Sequence, residues 1–169
     1  MIDLTDILKQ DIRENMKTEP REIIFRGMSI HGQWHEGSLH ILPQDIVYNN
    51  VKFEKGLYIS NKHGMPLAYS VRPETIGQFT GLETLTFNRE GGYTKLFEGD
   101  ICNYNYYIHV SPNPDANPIE YNGRGVIEYM DGAFVCRDIK NKHTYPLFFG
   151  ELSLVKIGNI HKYPELLNY

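Results

Sequence analysis

Three histidines, His31, His35 and His40, fall within ten residues, with Glu36 beside them. Zinc takes three or four nitrogen, sulfur or oxygen ligands in a set geometry. A helical His-Glu-x-x-His motif would supply two of them, but it is missing, and Gly32 and Gly37 argue against a helix here. On a strand His31 and His35 share one face and His40 points to the other. The cluster reads as ordinary polar histidines, and no metal site or cofactor is expected. Glu98 and Asp100 straddle Gly99. A carboxylate pair can bind metal or move protons, but Gly between acids before a strand is also what a tight turn needs, with Asp100 free to bond nearby N–H groups. Glu74, after Pro73, reads as a bend-stabilising residue. Tyr104, Tyr106 and Tyr107, interleaved with Asn103 and Asn105, are the candidate stacking platform for single-stranded nucleic acid. Such platforms sit in basic grooves, whereas the nearest charges are Glu98 and Asp100, so packing in a sheet is the favoured reading. No Ser/His/Asp or Cys/His arrangement and no phosphate-cradling loop is legible, and no catalytic residue is assigned.

The elements that must position these residues are mostly strands. Residues 3–17 form the exception: Leu4, Ile7, Leu8, Ile12 and Met16 make one apolar stripe, Asp3 can cap it, and Pro20 ends it. From Arg21 onward the pattern is β. Short strands are expected near 22–27, 32–42, 46–53 and 56–59, and an extended segment over 71–80 bends at Gly77 and Gly81. Residues 88–93 read as a loop. In 101–110, Cys102, Tyr104, Tyr106 and Ile108 alternate with polar neighbours, which predicts a half-buried strand. Pro112, Pro114 and Pro118 predict an irregular loop through about Gly123. Asp131-Gly132 between two apolar runs predicts a type I′ hairpin that opposes Met130 to Ala133, Tyr129 to Phe134 and Ile127 to Cys136. The face Ile127, Tyr129, Phe134 and Cys136 should then be buried, and Glu128 and Arg137 should pair diagonally across the other. Strands at 147–149 and 152–157 and a helical turn from Pro164 to Leu167 complete the chain.

The bulk numbers narrow the setting. The chain has 169 residues, a net charge of −4 and 41% hydrophobic residues. That suits one domain or two small ones, and it supplies no global field toward DNA or an anionic membrane. Cys102 and Cys136 each lie in an apolar run and read as buried free thiols in a reducing cytosol. The N-terminus lacks the basic and apolar regions of a secretory signal, and no apolar run approaches a membrane span. A cytoplasmic protein of a bacterial host cell is expected, without a membrane partner.

Five short motifs in one order resemble the YopX-like family of phage and prophage proteins. They are Arg21–Gly27 with Trp34–Leu39, Val71–Leu82, Phe97–Ile101, Gly125–Phe134, and Ile157–Ile160 leading to Pro164–Leu167. The string Pro73-Glu74-Thr75-Ile76-Gly77-Gln78-Phe79-Thr80-Gly81-Leu82 is close to the family's letter for letter. Two departures stand out: the link Glu83–Leu96 is longer than the family's short turn, and residues 1–20 exceed the family opening. The resemblance implies an α+β, mainly β fold. The apolar stripe makes residues 1–20 an N-terminal helix and linker; the resemblance makes 21–82 an α+β subdomain with mixed α/β content and 95–169 a small SH3-like β-barrel subdomain, which the close spacing of short strands over 96–160 also suggests. It carries no assigned activity or catalytic residue. The expected function is therefore a non-enzymatic interaction module acting as a homo-oligomer, with a host or phage protein as a further partner. A nucleic-acid-binding accessory protein and a metal-dependent enzyme using His31 and His35 are the alternatives.

Overall fold

Apolar side chains at period two make strands, because successive residues leave opposite faces of an extended backbone. The structure, a computed structural model, describes residues 22–60, 68–86, 92–109, 117–148 and 150–168. In the first half these form β1 (Phe25–Met28), β2 (Trp34–Leu42), β3 (Ile46–Tyr48), β4 (Val51–Phe53), β5 (Gly56–Ser60) and β6 (Ala68–Val71). A 3₁₀ turn, Pro73–Thr75, leads into β7 (Gly77–Thr86) and β8 (Tyr93–Phe97). The second half holds β9 (Asp100–Ile108), β10 (Ile119–Met130), β11 (Ala133–Asp138), β12 (Thr144–Pro146), β13 (Leu152–Asn159) and a 3₁₀ turn, Pro164–Leu167. Eleven strands join one sheet, in the order β12-β11-β10-β9-β13-β7-β1-β2-β5-β6 with β8 paired to β7, while β3 and β4 pair only with each other.

This corrects the expected fold class. The described residues are nearly all β, and their only helical pieces are the two 3₁₀ turns. The expected mixed α/β half is a sheet, and the expected C-terminal SH3-like barrel is not closed. The helix expected over 3–17 lies outside the described residues. The physical reason is β7. It pairs antiparallel with β1 of the first half and parallel with β13 of the second, so one strand fuses both halves. A barrel needs its first and last strands paired, whereas among the described residues β12 pairs with β11 alone and stands at an edge. No helix among the described residues is long and apolar enough to cross a membrane.

Local expectations fared better where turn chemistry dictated them. The β10–β11 hairpin has the predicted register, Met130 to Ala133, Tyr129 to Phe134 and Ile127 to Cys136. Asp131 and Gly132 both have positive φ, 50° and 86°, which a type I′ turn requires. Glu128 and Arg137 form the diagonal ion pair, with guanidinium-to-carboxylate contacts of 2.6 and 2.5 Å. The predicted buried face is only half buried. Ile127 and Cys136 are sealed in the core, but Tyr129 is 55% exposed and packs its ring edge-on against Phe134 near the hairpin tip. The proline-rich loop ends earlier than expected, because β10 already pairs with β9 from Ile119. The strand expected at 147–149 is displaced to Thr144–Pro146, where Tyr145 reaches the rings of Tyr104 and Tyr106.

The main core gathers Leu96, Cys102, Tyr104, Ile127, Cys136 and Tyr145, and a second cluster holds Ile24, Phe79 and Phe97. Between them the chain passes close to itself. A Cβ at Gly77 would sit 2.4 Å from the Glu98 carbonyl oxygen, whereas one at Gly150 would meet nothing within 4 Å. Gly77→Ala should therefore cost roughly 2–3 kcal/mol through forced backbone movement, and Gly150→Ala less than about 0.5 kcal/mol. Urea unfolding midpoints of the two variants check this, and equal midpoints would refute the close approach at Gly77.

Candidate functional site

The most concentrated chemistry lies where the sequence showed only a turn. Asp100 opens β9 and is 0% exposed. The preceding Gly99, with positive φ, lets the chain fold back so that the carboxylate accepts the Phe97 N–H at 2.9 Å. β1 brings Arg26 Nη2 to 2.5 Å from Oδ1, and β13 brings Lys156 Nζ to 2.8 Å from Oδ2. Asn159 Nδ2 donates to the Gly99 carbonyl at 2.8 Å and to Asp100 at 3.4 Å. Arg26 also donates to the Glu98 carbonyl, and its guanidinium lies over the rings of Trp34 and Phe97 at 4.9 and 4.8 Å. One buried anion thus holds two cations from strands far apart in sequence. Both carboxylate oxygens of Asp100 have partners, while Arg26 Nε is buried without one, so the centre is an internal clamp.

A shallow cleft of about 330 Å³ lies beside this clamp, bordered by Glu74, Ile76, Glu98, Glu128, Ile160 and His161. Glu128 is held by Arg137, and Glu74 is exposed on the 3₁₀ turn. Burial, together with the charges of Arg26 and Arg72, lowers the His161 imidazole below its ordinary pKa against the opposing pull of Glu74.

The residues singled out in the sequence are dispersed. Tyr104 is buried and donates to Asp138 Oδ2 at 2.6 Å. Burial and that bond raise its phenol well above the ordinary value. Tyr106 packs on Tyr145 at 5.0 Å between ring centres. Tyr107, on the opposite face of β9, reaches Glu120 at 3.4 Å. The three tyrosines therefore share no common stacking face. His35 stacks on Tyr69 at 3.8 Å, His40 bonds Ser60 at 2.9 Å, and His31 is exposed in a turn. Among the described residues no group of three or more His, Cys, Asp or Glu side chains is placed to hold a metal ion. Cys102 and Cys136 are free and buried. Burial pushes Cys136 up to about 12, aided by Asp138, and raises Cys102 well above its ordinary value. Neither supplies a thiolate nucleophile near neutral pH.

Sequence reasoning missed two features. One is the clamp, whose members Arg26, Lys156 and Asn159 carry no signal of their own apart from the motifs around them. The other is an arm. β3 and β4 form a hairpin over residues 46–53, with Asn49 and Asn50 both at positive φ. Asn-Asn between Ile-Val-Tyr and Val-Lys-Phe is itself a type I′ signal, and it could have exposed the arm. The register puts Ile46, Tyr48, Val51 and Phe53 on one face, and Val47 and Lys52 on the other. Tyr48 is 68% and Val51 53% exposed. No protein-family model matches the chain, and no curated protein matches it.

Two outcomes test the buried polar groups. Asp100→Asn leaves two buried cations against a neutral amide and should cost about 3–5 kcal/mol, while replacing Arg26, Asp100 and Lys156 together with Met, Leu and Met should recover most of it. Guanidinium unfolding of both variants checks this, and a silent Asp100→Asn would show the clamp to be unimportant. For Asp138, burial raises the pKa, but the Tyr104 hydroxyl and the Asn141 and Lys140 N–H groups outweigh it and hold the carboxyl below its ordinary value. That stability is present above the ordinary carboxylate pKa and is lost as pH falls through the depressed one. Removing the Tyr104 donor by Tyr104→Phe should shrink this acid-side loss, read as a flatter acid limb in melting temperatures across the carboxylate range, about pH 2 to 6.

Proposed function

We propose that the chain is a YopX-like phage or prophage protein that works as a non-enzymatic interaction module and assembles with copies of itself. The observation that carries this reading is the β3–β4 arm. A two-stranded hairpin is at best marginally stable alone in water. On this one Ile46, Tyr48, Val51 and Phe53 share a face, Ile46, Tyr48 and Val51 are exposed, and among the described residues β3 and β4 pair with no other strand. Its charges sit elsewhere: Lys52 bonds Asp45 at 2.9 Å and faces away from the apolar side. Such a surface gains by burial against another molecule.

Support for the family reading comes from where its motifs meet. Arg26, Gly77, the Glu98-Gly99-Asp100 turn and Asn159 belong to four of the five motifs and converge on one buried clamp. The non-enzymatic part of the reading follows the dispersal of the histidines, tyrosines and cysteines described above.

Sedimentation velocity of the purified chain at micromolar concentration should show a dimer or larger species. Tyr48→Asp and Val51→Asp, both at exposed positions, should dissociate it while leaving the β-rich circular dichroism spectrum intact. A wild-type chain that sediments as a strict monomer would overturn the self-association reading.

A further inference from the structure

β10 is longer than the partner on one of its sides. It pairs with β9 from Ile119 to Val126, but with β11 only from Gly125 to Met130. One more bond reaches it on the β11 side, from the Ile139 N–H to the Arg124 carbonyl at 2.9 Å. An antiparallel strand turns both backbone groups of every second residue to the same side. Asn122 and Glu120 therefore aim N–H and C=O the way Arg124 does, and among the described residues no strand meets them. Natural edges are guarded by lysine, proline or a bulge. Residues 119–123 carry none of these, and Ile119 and Tyr121 are 44% and 42% exposed. We infer that this edge pairs with the same edge of a second copy, antiparallel about a two-fold axis through Tyr121. The contact involves neither β3 nor β4, so it goes beyond the arm reading.

Register singles out a second copy. With Tyr121 on the axis, Glu120 lies opposite Asn122 of the other copy. Both face outward, so each such pair exchanges two backbone bonds. Pro118, which has no N–H, falls opposite Arg124, whose carbonyl already accepts Ile139. The open stretch thus ends at equal distances from its own centre, as an isologous contact requires. Sliding the second copy one way to the next matching register sets Glu120 against Glu120, and like charges directly opposite are unfavourable. Sliding it the other way sets Glu120 against the carbonyl that Ile139 occupies. The same backbone groups would accept an unrelated peptide in any register; the matched ends and the Glu120–Asn122 opposition belong to this edge meeting itself.

The side chains agree. Tyr121 meets its own copy in the closely spaced, non-hydrogen-bonded position, where aromatic pairs stabilise. A cleft of about 210 Å³ between Asn122, Gly123, Arg124 and the turn at 138–141 lies where Pro118 of the second copy arrives.

The contact is short, so cross-linking captures it better than sedimentation. Cα atoms in that position lie about 4.5 Å apart, within disulfide reach, and both native cysteines are buried. Under mild oxidation Tyr121→Cys protein should form a linked dimer roughly tenfold faster than Tyr129→Cys protein, because a held pair outruns a collision. Tyr129, 55% exposed on the same strand, is the stricter control for being the more accessible residue. In the Tyr121→Cys chain, Asn122→Pro removes an outward N–H that no described strand uses, and should slow linking roughly tenfold. Asn122→Asp leaves the backbone alone, sets like charges opposite, and should slow it roughly threefold. Equal rates for Tyr121→Cys and Tyr129→Cys would overturn the inference, as would a fast link that ignores both changes at Asn122. Tyr48→Asp and Val51→Asp should leave the link in place, and a link lost with them would also overturn it. A wild-type chain that sediments as a monomer removes the arm reading, whereas this contact stands or falls by the link.

Discussion

Everything in this sheet is arranged around one fully buried carboxylate. Asp100 binds a guanidinium from β1, an ammonium from β13, a backbone N–H from β8 and the amide of Asn159. A buried ion is costly unless its partners are close and complete. The constraint is therefore geometric before it is energetic. β1 and β13 must approach β9 at the level of Asp100, or three charges are left in an apolar interior. Net stabilisation from such a triad is often small. Its larger effect is to penalise other registers of the sheet, and a sheet of eleven strands with a parallel β7–β13 contact has many of those available.

The clamp also explains why the glycines stand where they do. Gly77 permits the Glu98 carbonyl to lie against β7, which sets Glu98 to receive Arg26. Gly99 returns the chain so that Asp100 can reach back to Phe97. Asn159 closes the turn by donating to Gly99 and accepting the His161 N–H at 2.9 Å. Short strings such as Glu98-Gly99-Asp100 look like catalytic signatures because they combine acids with glycine. Here they are the turn chemistry of a single polar centre, distributed over the chain.

Legibility followed the range of the physics. Asp131-Gly132 dictated a hairpin and its register because both turn residues must take positive φ, and that outcome depends on four neighbouring residues. The turn at Pro164–Leu167 was legible for the same local reason. Burial of Tyr129 was not, since it depended on whether the sheet covers the hairpin tip. The barrel failed at longer range. Strand count and spacing were right for several strands, but the pairing of β7 with both β1 and β13 involves partners more than fifty residues away. Of the candidate site, Asp100 was visible as a turn residue, but its cations Arg26 and Lys156 were invisible, because nothing in a single sequence pairs charges 74 and 56 residues from it.

The same centre bears on where function can reside. A clamp whose every acceptor is occupied cannot give up a contact to a substrate without exposing a buried charge. The interior of this protein is thus committed to its own architecture. What remains adjustable is the periphery: the arm after β2, the bulge that lifts Leu82, and the tip carrying Tyr129. Each of these departs from the regular sheet, the arm after β2, the bulge opposite β8, and the tip where Tyr129 also borders the cleft beside the clamp. A filled interior and an irregular rim separate the residues that hold the fold from those that can vary around it. Substitutions at the rim can then alter the surface without moving the core, because they touch none of the groups that meet at Asp100.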